Sequence, residues 1–340
     1  MPALRKISRP VHGRLLLLLA AGLPLAFLAW LALGLAPAAR GDAPAKTVEI
    51  PRGAGIARIA ALLHREGLIR NPFVFRVWAR LAGSERAVKA GTYALSPGMN
   101  GSRVLAVLTS GRVLSVRVTI PEGATLKEIA RILDARGLAA ADAFLARASD
   151  PELIQEAAPD ARATLEGFLF PDTYFFSNAT GADGIIRTMA ARFDEVVSDK
   201  LRARARAMGR SIREIVIMAS IIEREAKLAG DRPKIAAVFY NRLRAGIALQ
   251  SCATVQYALG GHKERLLYQD LHVASPYNTY LYRGLPPGPI CSPGLDSLLA
   301  ALYPAPGKYL YFVARPDGTH VFSTTYREHL RAQREIRQGG

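Results

Sequence analysis

The run Val48-Glu49-Ile50-Pro51-Arg52-Gly53 returns as Val118-Thr119-Ile120-Pro121-Glu122-Gly123. At the same offset Ile56, Ile59, Ala60, Leu63, Gly67 and Leu68 meet Leu126, Ile129, Ala130, Leu133, Gly137 and Leu138. An alternating V-x-I run reads as a strand and Pro-x-Gly as a turn. Apolar residues at i, i+3, i+4 and i+7 read as the buried face of a helix. Gly67 and Gly137 stand where glycine closes a helix. Between the copies, Lys89 to Leu95 reads as a strand, Pro97-Gly98 as a turn and Ser102 to Ser110 as a second short helix. Such units build a small α+β module with an internal repeat, spanning residues 47–163.

Ahead of the repeat lies an apolar run. Residues 15–39 carry no charge, and Arg5, Lys6, Arg9 and Arg14 precede them. By length the run suffices for a single transmembrane helix. The positive-inside rule then places residues 1–14 in the cytoplasm and the remainder outside, on an inner-membrane protein whose catalytic part is periplasmic. A cleaved signal peptide is the alternative, but the run exceeds the usual apolar core of one. Residues 40–46 read as a linker. The chain holds 45 Lys and Arg against 28 Asp and Glu, a formal charge of +17. Such a surface favours polyanions. Export argues against nucleic acid and leaves anionic lipid or an acidic wall polymer.

The texture changes near Thr164. A basic amphipathic helix is expected from about Gly184 to Met208, then a more apolar one from Ser211 to Lys227. Ser211 and Glu214 fit a capping box. Ile212, Ile215, Val216, Ile217, Met218, Ile221 and Ile222 surround the axis, as in a central, buried helix. Yet it ends in Glu223-Arg224-Glu225. At about 100° per residue the two glutamates face nearly opposite sides, so they cannot form a close pair. Glu225 shares its face with Met218, Ile221 and Ile222. Apolar surroundings and a helix C-terminus both raise a carboxyl pKa, as a general acid requires. The alternative is that both glutamates pair with Arg224, Lys227 or Arg232 at the surface.

Residues 164–338 are expected to form a mixed α+β catalytic domain around that helix. Beyond it, Asn241, Gln250, Thr254, Tyr277, Asn278 and Tyr280 sit among Pro- and Gly-rich loops. Tyrosine faces and amides suit sugar rings and their hydroxyl and acetamido groups. Other chemistries lack their motifs. Two cysteines and no H-x-x-x-H pair exclude the usual zinc sites, and neither a phosphate loop, S-x-x-K nor G-x-S-x-G occurs.

The ordered motifs Lys89-Ala90-Gly91-Thr92-Tyr93, Glu166-Gly167, Pro171-Asp172-Thr173 and Met218 to Glu225 resemble the YceG-like family of membrane-anchored lytic transglycosylases, the endolytic murein transglycosylases. Asn241-Arg242-Leu243, Leu249-Gln250, Tyr277 to Tyr280, Gly284 to Gly288, Ser292-Pro293-Gly294 and Tyr309 to Val313 extend the likeness over nearly the whole chain. It implies a LysM-like module before the catalytic domain and internal cutting of peptidoglycan strands. It also implies peptidoglycan synthases as partners, through the ending of nascent strands, and no cofactor.

The family's catalytic glutamate falls on Glu225. Protonated, it would cleave the MurNAc–GlcNAc β-1,4 bond and then act as base while the sugar's 6-hydroxyl closes a 1,6-anhydro ring. Glu223 joins Asn241, Gln250, Thr254, Tyr277, Asn278 and Tyr280 as expected substrate-binding residues. Where many members carry Asp after the Leu-Gln pair, this chain has Ser251-Cys252-Ala253. An exported protein tends to pair its thiols, so a Cys252–Cys291 disulfide is expected. Two other readings stay open: a non-catalytic glycan-binding scaffold, and a muramidase-type hydrolase. The latter needs a second carboxylate about 5–9.5 Å from Glu225.

Overall fold

A computed structural model describes residues 11–39, 41, 43–261, 263 and 266–339. The fold is mixed α+β and divides into two compact units. One reaches Ser115 and includes Ser177–Ala179; the other takes Val116–Phe176 and the chain from Thr180.

A helix does form at Val11–Leu35, with Pro24 inside it. However, among the described residues no helix is long and apolar enough to cross a membrane. This overturns the expected single anchor, the membrane as its partner and the inner-membrane placement. The last turns of the helix are committed to protein: Leu31 and Leu35 are buried with Val74. A Cβ on Gly34 would run into the Val74 side chain. Residues 1–10 of the expected cytoplasmic tail lie outside the described residues.

Each copy of the repeat is a helical segment closed by an antiparallel pair of strands, with two helices in the first copy and three in the second. In the first, strand Lys46–Ile50 pairs antiparallel with Gly91–Leu95, and Val48 stands opposite Tyr93. Helices Ile56–Arg65 and Pro72–Leu81 lie between the strands. In the second, Val116–Thr119 pairs antiparallel with Thr173–Phe176, and Val118 stands opposite Tyr174. Helices Leu126–Ala135, Ala141–Arg147 and Pro151–Ala157 intervene.

Both copies end their first helix in the same way. Gly67 donates to the His64 carbonyl and Leu68 to that of Leu63; Gly137 donates to Asp134 and Leu138 to Leu133. Gly67 at φ 70° and Gly137 at φ 64° supply the left-handed turn these paired bonds need. The closing strands match too. Tyr93 and Tyr174 each donate to the carbonyl four residues back, Lys89 and Phe170, at 2.7 and 2.6 Å. The aromatic Thr173-Tyr174 segment is thus the second copy's closing strand.

The helix Ile212–Glu225 carries the capping box of Ser211 and Glu214 and is buried at Ile212 and from Ile215 to Ile222. It packs against Leu295–Leu302 and Arg232–Arg244. The expected single helix before it is two, Gly181–Val196 and Asp199–Ala207. They part at buried Val197 and extended Ser198, which turns the chain so that Leu201 and Ala205 reach the core. A hairpin of Tyr311–Ala314 and His320–Ser323 follows. The helix Tyr326–Gly339 lies against it.

Candidate active site

The two glutamates at the end of the central helix part company. Glu223 accepts from Arg232 at 3.3 Å and from the Gly294 N–H at 2.9 Å. Arg232 also donates to Ser297 at 3.0 Å, so Glu223 ties three segments together. Of the pairings weighed for both glutamates, that with Arg232 is made by Glu223, but largely buried and not at the surface.

Glu225 turns the other way, into a 330 Å³ cavity that it shares with Arg242, Gln250, Cys252, Tyr280, Tyr311 and His329. Ser251 Oγ donates to Glu225 Oε1 at 2.5 Å, and the Ala253 N–H reaches the same oxygen at 3.4 Å. Ser251 is the N-cap of the helix Cys252–Ala258, yet its hydroxyl makes no bond within that helix. Glu225 instead supplies an acceptor to the open N–H groups there. Burial pushes the Glu225 carboxyl above the ordinary carboxylate range, while Ser251, Ala253 and His320 pull it back. The outcome is a raised pKa. His320 is itself fixed by Asp231, which accepts from both its backbone N–H and its ring at 2.9 Å.

Arg242 frames the cavity. It donates to the carbonyls of Leu310, Ala248 and Leu249 and to Gln250 Oε1, at 2.7 to 3.2 Å. Its guanidinium lies 5.1 Å from the Tyr311 ring centre. Gln250 has a backbone φ of 51°, rare outside glycine. Its N–H donates to Thr279 O at 3.0 Å, which holds that turn while its side chain lines the cavity.

Of the substrate-binding residues expected from the sequence, Gln250 and Tyr280 meet Glu225 in this cavity. The others do not. Glu223 is engaged as described. Asn241 donates to the carbonyls of Gly307 and Tyr309 and accepts from Arg244. Thr254 bonds Ser251 O and Thr279, both at 2.8 Å, beneath the floor. Asn278 is fully buried and holds the Leu271 and Val273 carbonyls. Tyr277 packs against Tyr257, the ring centres 4.8 Å apart and the planes tilted by 50°.

The expected Cys252–Cys291 bridge is not formed: both thiols are free. Cys291 is buried and donates to Ser220 O, whereas Cys252 meets the Tyr280 hydroxyl at 3.1 Å. The two side chains are claimed by different segments. Among the described residues, no cluster of His, Cys, Asp and Glu could hold a metal ion.

Sequence reasoning missed Tyr311, His329 and Gln333, which come from the hairpin and final helix. It also missed the role of Glu166. That carboxyl is 5% exposed and accepts from the Leu126 N–H at 3.0 Å and from Tyr257 at 3.2 Å. Burial lifts it to about 8. It lies in a larger cavity of 430 Å³. With both oxygens held by protein donors, Glu166 is a joint between the helices Leu126–Ala135 and Cys252–Ala258.

A family model, the YceG-like family, matches residues 48–335. The chain is similar to an endolytic murein transglycosylase of Bacillus subtilis, 36% identical over 301 residues, covering 84% of this chain and 83% of that one. One from Streptococcus pneumoniae is 31% identical over 316 residues, covering 84% of this chain and 57% of its own length. The crystal structure of a YceG-like protein from Listeria monocytogenes superposes with a TM-score of 0.60 at 37% identity, over 85% of this chain and 98% of that one. The chain belongs to the YceG-like family.

Proposed function

We propose that this chain is an endolytic murein transglycosylase, cutting the MurNAc–GlcNAc β-1,4 bond within glycan strands and leaving 1,6-anhydro-MurNAc ends. The observation that carries the proposal is one carboxyl, Glu225, raised in pKa at the floor of a polar, aromatic cavity. Among the described residues lining that cavity it is the only carboxyl. A hydrolase needs a second one, for water or as nucleophile. A transglycosylase does not, because the sugar's own 6-hydroxyl closes the ring. The names of the Bacillus and Streptococcus relatives support the same reading.

Protonated Glu225 donates to the glycosidic oxygen as the bond breaks. The resulting carboxylate takes the proton of the 6-hydroxyl as that oxygen attacks C1. Ser251 and the Ala253 N–H stabilise the carboxylate between the two steps. Tyr280 and Tyr311 offer flat faces to the sugar, and Gln250 offers an amide. Arg242 fixes Gln250 in place. No cofactor enters these steps. A LysM-like, glycan-holding role for the repeat belongs to the proposal, supported by the β-α-α-β order of the first copy and the like strand pairing of the second. So do peptidoglycan synthases as partners, because an internal cut frees a nascent strand from the enzyme extending it.

The test is mass spectrometry of muropeptides released from purified sacculi by the full chain and by Glu225→Gln. Anhydro ends that fall by about 10²–10⁴-fold in the variant support the reading, which is the range general acid catalysis supplies. Reducing ends would make the protein a hydrolase. Undiminished anhydro ends in the variant would move the chemistry off Glu225, and no product from either protein would favour a glycan-binding scaffold.

A further inference from the structure

The short helix Cys252–Ala258 has a cavity on each side. Consecutive residues of the central helix open into them: Glu225 into the 330 Å³ cavity and Arg224 into the 430 Å³ one. Ala253 joins the two, since its N–H reaches Glu225 while the residue lines the larger cavity. A substituent on a sugar seated at Glu225 would therefore find the larger cavity next to it, across Ala253.

Three cations line that cavity: Lys127, Arg131 and Arg224. All are exposed, and none is in an ion pair among the described residues. Two acids, Glu128 and Glu166, line it as well, so three cations against two acids leave the lining net positive. Glu128 is spent on the Thr125 N–H and hydroxyl. Glu166 is spent on Leu126 and Tyr257. Ala253, Ala258 and Ile290 give the cavity an apolar side. Cations beside methyl-sized apolar surface fit a short acidic peptide better than a phosphate polymer, which brings charge but no apolar side chains.

We propose that the 430 Å³ cavity is a second binding site, taking the carboxylate-bearing peptide stem that a muramoyl residue carries. The proposal rests on the murein reading above, and its test is independent of cleavage.

Equilibrium binding by the full chain carrying Glu225→Gln is measured in about 0.1 M salt, where long-range charge effects are damped. The probes are a soluble murein tetrasaccharide bearing its peptide stems and the same tetrasaccharide stripped of them by an amidase. The stem-bearing probe should bind about tenfold more tightly, the scale of two exposed ion pairs. Adding Lys127→Ala and Arg131→Ala should abolish that preference, and Arg131→Lys should keep most of it. Arg206→Ala removes an exposed charge that does not line the cavity and should leave the preference intact. Equal binding of both probes overturns the site even if anhydro ends are formed. An equal loss of preference in Arg206→Ala also overturns it, because the attraction would then belong to the basic surface as a whole.

Discussion

Ser251 Oγ lies 2.5 Å from Glu225 Oε1 and turns away from the helix it begins. The hydroxyl stabilises the ionised carboxyl and so holds the Glu225 pKa below the level that burial alone would set. The donor group must be protonated to begin the reaction. Activity is therefore present below the folded pKa of Glu225 and lost as pH rises through it.

Ser251→Ala removes that opposing donor. The alkaline limb of the kcat/KM profile should move to higher pH, with the maximal rate reduced because the carboxylate formed on proton transfer is less well held. A pH–rate profile of wild type against the variant reads this. A limb that stays put, or moves to lower pH, would detach Ser251 from the titration of Glu225.

Glu166 predicts a stability effect of definite sign. Its folded pKa of about 8 stands above the ordinary carboxyl value of 4.5. Its contribution is full below the unfolded pKa, and stability falls as pH rises from there to about 8. The loss is on the order of a few kcal/mol. Glu166→Gln keeps an acceptor for Leu126 and cannot ionise. Denaturation curves at pH 5 and pH 9 should show the variant equal to or slightly weaker than wild type at the first and more stable at the second. A variant weaker at both would mean that Glu166 folds as a satisfied carboxylate.

Arg242 is 8% exposed and has four acceptors but, among the described residues, no carboxylate partner. Lysine brings three donors on a flexible stem and cannot reproduce the planar fork. Arg242→Lys should cost about 2–3 kcal/mol through carbonyls left unpaired, and raise KM as Gln250 loses its support. Chemical denaturation and steady-state kinetics on the same protein measure both. A full return to wild-type values would reduce Arg242 to a generic positive charge.

The free cysteines are separable by alkylation. Cys252 is exposed and Cys291 fully buried. The native chain, prepared without reductant, should take up one iodoacetamide at Cys252 and a second at Cys291 only after unfolding. Uptake should quicken at alkaline pH, because partial desolvation in the cavity mouth, with the Glu225 carboxyl nearby, holds the Cys252 thiol pKa above its ordinary value. A bridged pair would take up none in either state.

The parts of this molecule that are periodic could be read along the chain. The strand, turn, helix and glycine of each repeat follow from local backbone preferences, and both copies realise them down to the paired bonds at Gly67 and Gly137. The opposed faces of Glu223 and Glu225 follow from helical spacing alone. The closing strands were harder. Tyr93 and Tyr174 play the same part in each copy, but an extra helix, Pro151–Ala157, separates the second from its partner and breaks the offset.

The sequence by itself determined the repeat, the capped central helix, the face on which Glu225 stands and the family. Each of these depends on residues near one another or on an ordered set of motifs. Only the tertiary structure decided which polar residues share the cavity. Gln250 and Tyr280 do, while Asn241, Thr254 and Asn278 satisfy buried backbone beneath it. Side chains of the same type serve a ligand or a loop according to which carbonyls the fold leaves unpaired, and that is set by segments far apart in the chain. The same holds for the apolar run at the amino end, part of which packs on Val74. Hydrophobic surface has no direction, so the sequence shows that it must be covered, and the folded neighbours show by what.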